Sequence, residues 1–593
     1  MKIKVSDYIV NFFNKNNIDS VFSVTGGFSM HLSDSFFNNK NYKIYYQYHE
    51  QACTYSAIGY YYATKKIPII CTTAGCAVVN TLSPCLDAYQ DSVPILIIGG
   101  QVKSTETINT LNNNDMKLRH YAGADCDIVS MAKECTKFSY EINNLNNLEE
   151  ILIEAMNNLI NGRKGPVLLS IPLDLQAMII EVNDEYKIVE EKLNFAENNV
   201  EDLNKIYSYL NLSSRPIIIA GNGIKLGNCK DKFIEFINKY KIPVLTTMMS
   251  TDIIENDNEL FIGRLGVIGQ RAGNFALQNS DLVISLGCRM AQGVVGYRSD
   301  WFAREAKIIY VDIDKNELKK NNVSYNEKIN MDLNYFFSNY NYNINDYSIW
   351  NNKCLYWKKK WMNELPLNIN DSNGVNPYVV LDKFFDIAPE NKIITCSSGS
   401  IVTVLWHKVN IKKNDKFIIS SQGDMGFELP SAIGASFADK NNMVITISGE
   451  GAFQLHIQEL QTIVHHKLPI KILLFNNGGY GANVITQSTF FNSKYGCDPE
   501  SDLSFPCTEK IAQAYGIKYL KINKNEEIEN ICTEFLNYKE AIILEVFCCI
   551  QPRTPKLSAF KNEDGTFTNR PFEDMEPFMD REKFKKEMIV NIV

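Results

Sequence analysis

A carboxylate, a carboxamide and a backbone carbonyl are hard oxygen donors, the set that holds Mg²⁺ together with a phosphate. The run Met443-Val444-Ile445-Thr446-Ile447-Ser448 is apolar and stops on Gly449-Glu450-Gly451. An amphipathic stretch over 453–468 follows and Pro469 ends it. A second apolar run, Ile470 to Phe475, lands on Asn476-Asn477-Gly478-Gly479. The pattern predicts strand, helix, strand, with Glu450 at one strand end and Asn477 at the next, 477 − 450 = 27 positions later. Open parallel sheets bind ligands outside the carboxyl ends of their strands. Glycines there let backbone amides approach a phosphate, and a helix N-terminus favours an anion. One Gly-x-Gly alone is a common capping turn; the second turn at the neighbouring strand end makes it a site.

Far upstream, Tyr46-Gln47-Tyr48-His49-Glu50-Gln51-Ala52 sits where a strand meets a helix expected over 52–63. Glu50 is there either to offset the helix dipole or to do acid–base work. With the two turns above, these stretches resemble thiamine-diphosphate enzymes, and most closely the acetolactate synthase-like family. The resemblance implies that Glu450, Asn477 and the Gly479 carbonyl hold Mg²⁺, while Gly449, Gly451 and Ala452 meet the diphosphate and Tyr480 flanks it. It implies that Glu50 exchanges a proton with the cofactor's pyrimidine nitrogen, beside Asn80. In Gln422-Gly423-Asp424-Met425-Gly426-Phe427, Gly423 and Met425 match the turn that supports the cofactor and the bulky residue that bends it. Thr72-Thr73-Ala74-Gly75-Cys76-Ala77, Asp91-Ser92-Val93-Pro94-Ile95 and Gly100-Gln101-Val102 continue the likeness.

Four departures mark this chain. Glu450 replaces the family's Asp, and its extra methylene moves the carboxylate by about 1.5 Å. Gly75-Cys76-Ala77 replaces Gly-Pro-Gly, Gly123-Ala124-Asp125 replaces Phe-Gln-Glu, and no Trp follows the metal turn, where Thr486-Gln487 stands. The last two alter the substrate end. His465-His466 is the only adjacent His pair, at the end of a helix rather than in the first block where the simple decarboxylases carry theirs. Carboligation is therefore expected: a 2-oxo acid, pyruvate first, loses CO₂ and its two-carbon unit passes to a carbonyl acceptor. His31, in Gly26-Gly27-Phe28-Ser29-Met30-His31, and Gln101 are candidates facing the acceptor. That run and Arg570-Pro571-Phe572-Glu573-Asp574-Met575 are similar to relatives that branch nucleotide-linked keto sugars. A decarboxylase, an oxidase and a non-catalytic cofactor-binding paralogue are the alternatives.

These residues need three sheets to carry them. Short apolar runs alternate with amphipathic stretches throughout, the pattern of consecutive α/β domains with open, mostly parallel sheets. The expected order is a pyrimidine-binding domain over 1–180, a central domain over 190–345, a diphosphate-binding domain over 365–550 and a tail over 551–593 draped on the surface. Linkers are expected over 182–202 and in the Asn- and Tyr-rich stretch 334–347. Gly263-Arg264-Leu265-Gly266-Val267-Ile268-Gly269 and Gly287-Cys288-Arg289 match stretches that line FAD in acetolactate synthase, so the central domain is a candidate for FAD.

Composition sets the frame. The 593 residues carry 60 Lys+Arg and 68 Asp+Glu, a net charge of −8, with 45% hydrophobic and 22% charged residues. That balance excludes wholesale disorder and argues against a broad nucleic-acid surface. No apolar run reaches the ~18 residues of a membrane span. The N-terminus lacks a signal-peptide core, and 15 cysteines without a C-x-x-C pair suit a reducing, cytoplasmic setting. The family builds its site between subunits, which implies a homodimer or a dimer of dimers.

Overall fold

The computed structural model describes every residue except 113–114, 183–184, 192–199, 341, 344, 362–373, 440, 549–556 and 558. Each of three domains is built on a six-stranded parallel sheet flanked by helices. The central strands, such as Ile69–Thr72, Ile542–Phe547 and Leu282–Leu286, are almost wholly buried. That burial on both faces explains their unbroken apolar runs.

Strand order differs among the domains. The first sheet runs Lys43–Tyr46, Ser20–Ser23, Ile69–Thr72, Leu96–Gln101, Val167–Pro172, Phe138–Glu141. The third runs Lys416–Ile419, Lys392–Cys396, Met443–Gly449, Lys471–Asn476, Ile542–Phe547, Lys518–Ile522, the same 2-1-3-4-6-5 order. The central sheet has the 3-2-1-4-5-6 order of dinucleotide-binding folds.

The first and third domains share one hydrophobic core. They meet through the helices Glu50–Thr64 and Glu428–Ala438, which carry the same tetrapeptide, Ser56-Ala57-Ile58-Gly59 and Ser431-Ala432-Ile433-Gly434. The contact is reciprocal. A Cβ on Gly59 would lie 2.1 Å from the Ser431 carbonyl oxygen, and one on Gly434 would lie 1.8 Å from that of Ser56. Ser56 Oγ donates to the Pro430 carbonyl at 2.8 Å and Ser431 Oγ to that of Tyr55 at 3.4 Å. Only hydrogen fits at these two positions, so the helices touch backbone to backbone.

Three expectations change. The stretch over 453–468 is not one helix: Glu450–Phe453, a 3₁₀ segment Gln454–Glu459 and Leu460–His466 follow each other, with His456 at φ −131°. His456 Nδ1 pairs with the Gly426 carbonyl at 2.9 Å, and Glu459 accepts from Tyr48 N at 3.1 Å, so both side chains serve neighbours instead of a helix face. The Asn- and Tyr-rich stretch is packed, not a bare linker. Phe336 and Phe337 are buried, and Tyr342 stacks on Tyr207 at 3.9 Å. The tail does more than drape: Phe572 and Phe584 join the central domain's core, and buried Glu573 pairs with Arg304 at 2.7 Å. Residues 183–184 and 192–199 of the first expected linker lie outside the described residues. No described helix is long and apolar enough to cross a membrane.

Candidate active site

A cavity of about 250 Å³ opens at the carboxyl end of the third sheet, and Gly449, Glu450, Gly451, Ala452, Asn477, Gly479, Tyr480 and Met425 all line it. Seven of the expected cofactor and metal positions are thus brought together with Met425. Gly451 needs its missing side chain, because a Cβ there would lie 2.3 Å from the Tyr480 ring. Tyr480 in turn packs edge-on against Phe505 at 5.3 Å. Gly423 lies outside the lining, in the same turn as Met425, and takes φ +70°, a conformation that favours glycine.

Glu450 caps the site electrostatically. It is 4% exposed, and its Oε1 accepts the backbone N–H of Gly479 at 2.7 Å and of Asn477 at 3.2 Å. The Glu450 carboxylate thus reaches across to the next strand's turn. Burial pushes its carboxyl up to about 7, against the pull of those N–H groups. Asn477 Oδ1 is buried with no hydrogen-bond partner among the described residues. A buried acceptor left open costs free energy unless a ligand fills it. The Gly479 carbonyl accepts from Gly481 N at 2.9 Å and keeps a second lone pair. No group of three or more His, Cys, Asp or Glu suited to a metal occurs among the described residues. An ion here would complete its shell with oxygens of a bound phosphate, and the one-carboxylate donor set fits Mg²⁺ shared with a diphosphate.

Sequence reasoning missed the opposite wall. Ser398, Gly399 and Ser400 line the cavity where the strand Lys392–Cys396 turns into the helix Ser400–Lys408. Ser398 Oγ is buried without a described partner, and Ser400 Oγ accepts from Asn477 Nδ2 at 3.5 Å. The signal was present in Ser397-Ser398-Gly399-Ser400, a small-residue turn between strand and helix.

The first domain supplies a separate group. Glu50 begins the helix Glu50–Thr64, is half-buried, and accepts from Asn80 Nδ2 at 3.0 Å. Asn80 therefore acts on Glu50 within this chain. Glu459 of the third domain holds the strand end before it, accepting from Tyr48 N and from Gln47 Nε2 at 3.2 Å. His31 heads the helix Met30–Asn38 on a turn fastened by Phe28 N to Thr73 Oγ1 at 3.1 Å. Gln101 is 1% exposed and engaged at both ends. Its Nε2 donates to the Cys126 carbonyl at 2.9 Å and to Glu141 at 3.3 Å, and its Oε1 accepts Val102 N at 3.0 Å. Neither Glu50, Asn80, His31 nor Gln101 lines the third-domain cavity of the same chain.

The departures also have places. Gly75 takes φ +70°, and a Cβ there would lie 2.9 Å from the Ala124 carbonyl oxygen, so the two altered loops of the first domain touch. Gln487 turns inward and staples the 495–497 loop, donating to the Tyr495 carbonyl at 3.1 Å and accepting Tyr495 N at 2.9 Å. His465 is exposed near the end of the helix Leu460–His466, and His466 is half-buried, edge-on against Phe437 at 5.0 Å.

A second cavity, about 550 Å³, lies over the carboxyl ends of the central sheet, where Leu265, Val267, Ile268, Gly287, Cys288 and Arg289 line it. The two stretches singled out for FAD do meet there. Its charges are engaged: Arg289 donates to the Gln90 carbonyl at 2.7 Å and to Asp91 at 3.2 Å, and Arg163 to Asp314 and Glu317 at 3.0 and 2.8 Å. Burial pushes the Asp312 carboxyl, at a strand end on this cavity, up to about 6.

Comparison with known proteins agrees with this division. Three domain families match in order: the thiamine pyrophosphate enzyme N-terminal TPP binding domain over 3–131, the central domain over 203–334, and the C-terminal TPP binding domain over 397–546. The chain is 29% identical over 544 residues to the acetolactate synthase isozyme 2 large subunit of Escherichia coli K12, covering 91% of this chain and 95% of that one. It is 28% identical to the large subunit from Lactococcus lactis, covering 91% and 92%. The chloroplastic acetolactate synthase of Arabidopsis thaliana is 29% identical, covering 95% and 84%. All three domains and nearly the full length being shared, the chain belongs to the thiamine-diphosphate-dependent enzymes of the acetolactate synthase-like family.

Proposed function

We propose that this enzyme is a carboligase that takes a 2-oxo acid, pyruvate first, and transfers its two-carbon unit to a carbonyl acceptor. The observation that carries this is an intact Glu50, held by Asn80, together with a third-domain cavity whose open acceptors suit a diphosphate and Mg²⁺. Thiamine diphosphate, when bound, supplies the nucleophilic carbon and the electron sink for decarboxylation. Glu450, Asn477 and Gly479 would hold Mg²⁺, and Gly451, Ala452 and the Ser398–Ser400 turn would surround the diphosphate. Met425 would support the cofactor from below. Glu50 is the acid–base group, and Asn80 orients its carboxyl.

Among the described residues the cavity is lined by residues 377–548 and not by Glu50, which supports a Glu50 that reaches the cofactor from another copy of the chain. This supports a homodimer or a dimer of dimers. Mixing inactive Glu50→Gln and Asn477→Ala chains should restore about a quarter of the activity, from heterodimers with one intact site. A mixture that exchanges subunits and stays inactive overturns this arrangement.

Ligation is favoured over simple decarboxylation because the His pair ends a third-domain helix, His465 exposed and His466 packed on Phe437, and neither lines the cavity. The altered substrate end, at 123–125 and 486–487, supports an acceptor other than the small ketoacids, and a nucleotide-linked keto sugar is the acceptor we favour. Incubation with pyruvate and a panel of aldehydes, ketoacids and nucleotide-linked keto sugars, with products read by mass, tests this. CO₂ release without any ligated product makes the enzyme a decarboxylase, and no CO₂ from any 2-oxo acid makes it non-catalytic.

FAD in the central cavity is a second component, favoured by the dinucleotide strand order and by the lining Gly287 and Leu265 stretches. Purified protein without flavin absorbance removes FAD and leaves the carboligase standing. Buried thiols such as Cys53, Cys71 and Cys396, which form no disulfide, support a cytoplasmic enzyme.

A further inference from the structure

The turn that carries Asn477 is held from two sides, and Glu450 is only one of them. On the other side runs the strand Ile542–Phe547, paired in parallel with Lys471–Asn476 so that Glu545 stands beside Leu474. Glu545 is 2% exposed. A carboxylate so deep in a sheet is costly unless donors surround it. It has three. Oε1 accepts Asn476 Nδ2 and Thr508 Oγ1, each at 2.8 Å, and Oε2 accepts the Tyr519 hydroxyl at 2.6 Å.

The Asn476 contact transmits this outward. A carboxamide is planar, so fixing its NH₂ on Glu545 fixes its oxygen, and Asn476 Oδ1 accepts Gly478 N at 2.9 Å. The next two N–H groups that matter, those of Asn477 and Gly479, point at Glu450. The turn is therefore clamped between carboxylates carried by the two strands that flank Lys471–Asn476, Glu450 at the end of one and Glu545 on the other.

We infer that Glu545 is a positioning residue that shapes the turn over 476–479 through Asn476, and so places Asn477 Oδ1 and the Gly479 carbonyl for a divalent cation. This rests on the metal site proposed above. Glu545 touches neither cavity nor ligand, and acts only through Asn476. Were its role simply to secure Thr508 and Tyr519, its loss would lower stability and leave metal affinity alone.

The test titrates Mn²⁺ into the full chain with saturating thiamine diphosphate and reads free Mn²⁺ by electron paramagnetic resonance. Glu545→Leu should weaken Mn²⁺ binding about tenfold or more, the usual size of an outer-layer effect on a metal site. Glu545→Gln keeps an acceptor for Asn476 and turns its NH₂ toward the Tyr519 oxygen, so it should stay within about threefold of the unaltered chain. If Glu545→Leu fails to fold, Asn476→Ala cuts the same link from the turn side and should give the same tenfold loss. Mn²⁺ affinity unchanged in Glu545→Leu or Asn476→Ala, while Asn477→Ala abolishes it, overturns the positioning role and leaves the metal site intact. Affinity unchanged in Asn477→Ala as well overturns the metal site, and this inference with it.

Discussion

The first and third domains are the same scaffold put to two uses. They share a strand order, and each sends a helix with the tetrapeptide Ser-Ala-Ile-Gly against its counterpart. Six positions before the tetrapeptide stands Glu50 in one domain (56 − 50) and Met425 in the other (431 − 425). One is a carboxylate held by Asn80, the other an apolar side chain on the cavity wall. The cavity lined by Glu450, Asn477 and Gly479, by contrast, lies on the third domain. The packing residues are alike and the residues at the tips are not, so a shared fold fixes where chemistry is placed and leaves its kind to single side chains.

The shared part should be the least forgiving. Gly59→Ala and Gly434→Ala each force a Cβ onto backbone that cannot step aside, and each should cost about 3 kcal/mol or more in denaturant unfolding. A marked difference between the two would break the equivalence of the helices.

At the divergent positions the effects should separate. Met425→Ala removes support without removing an acid–base group, and misplacement of that order costs about 10–100-fold in turnover. Its pH profile should keep the unaltered shape. A changed profile would give Met425 more than a supporting role.

The metal side should show its own pH dependence. The Glu450 carboxyl, pushed up to about 7, must lose its proton to bind a cation. Metal affinity should therefore rise about tenfold per pH unit below that value and level off above it. In the metal-free protein the sign for stability is opposite. A raised carboxyl contributes stability that is full below its ordinary value of 4.5 and is lost as pH rises through about 7. Glu450→Gln should remove that loss, seen as a flatter unfolding midpoint over the same range. Equal slopes in the two proteins would show that Glu450 does not titrate there.

The smallest expected effect lies in the central domain. Arg289→Ala breaks a pair whose Asp91 side is 3% exposed but whose Arg side is 32% exposed. Solvent screening reduces the loss to about 1 kcal/mol, and thiamine diphosphate affinity should not move. A drop in that affinity would tie the central cavity to the cofactor site.

Much of this was legible because it is local. Glu450, Asn477 and Gly479 sit on one strand–helix–strand unit, and glycine spacing with apolar runs marks both ends of it. The place of Glu50 at a strand–helix junction was legible, while its acid–base role is what the family resemblance implies. Ser398 and Glu545 reach the site only through sheet order, which brings the strands Lys392–Cys396 and Ile542–Phe547 to either side of the motif. The small-residue turn around Ser398 signals a ligand-facing turn without naming its neighbour, and nothing around Glu545 announces its adjacency. Gln101 shows the reverse case, a promising residue type whose amide is wholly engaged in its own domain. The tail misled because its charged residues look solvated, whereas Glu573 is buried against Arg304.

The most direct measurement is CO₂ release from pyruvate by the chain loaded with thiamine diphosphate and Mg²⁺, compared with Glu50→Gln under the same loading. Removing a general acid–base group costs about 10²–10⁴-fold, so release should fall by at least about a hundredfold in the variant while circular dichroism and cofactor binding persist. Undiminished release from Glu50→Gln would contradict the assignment of the first domain's carboxylate.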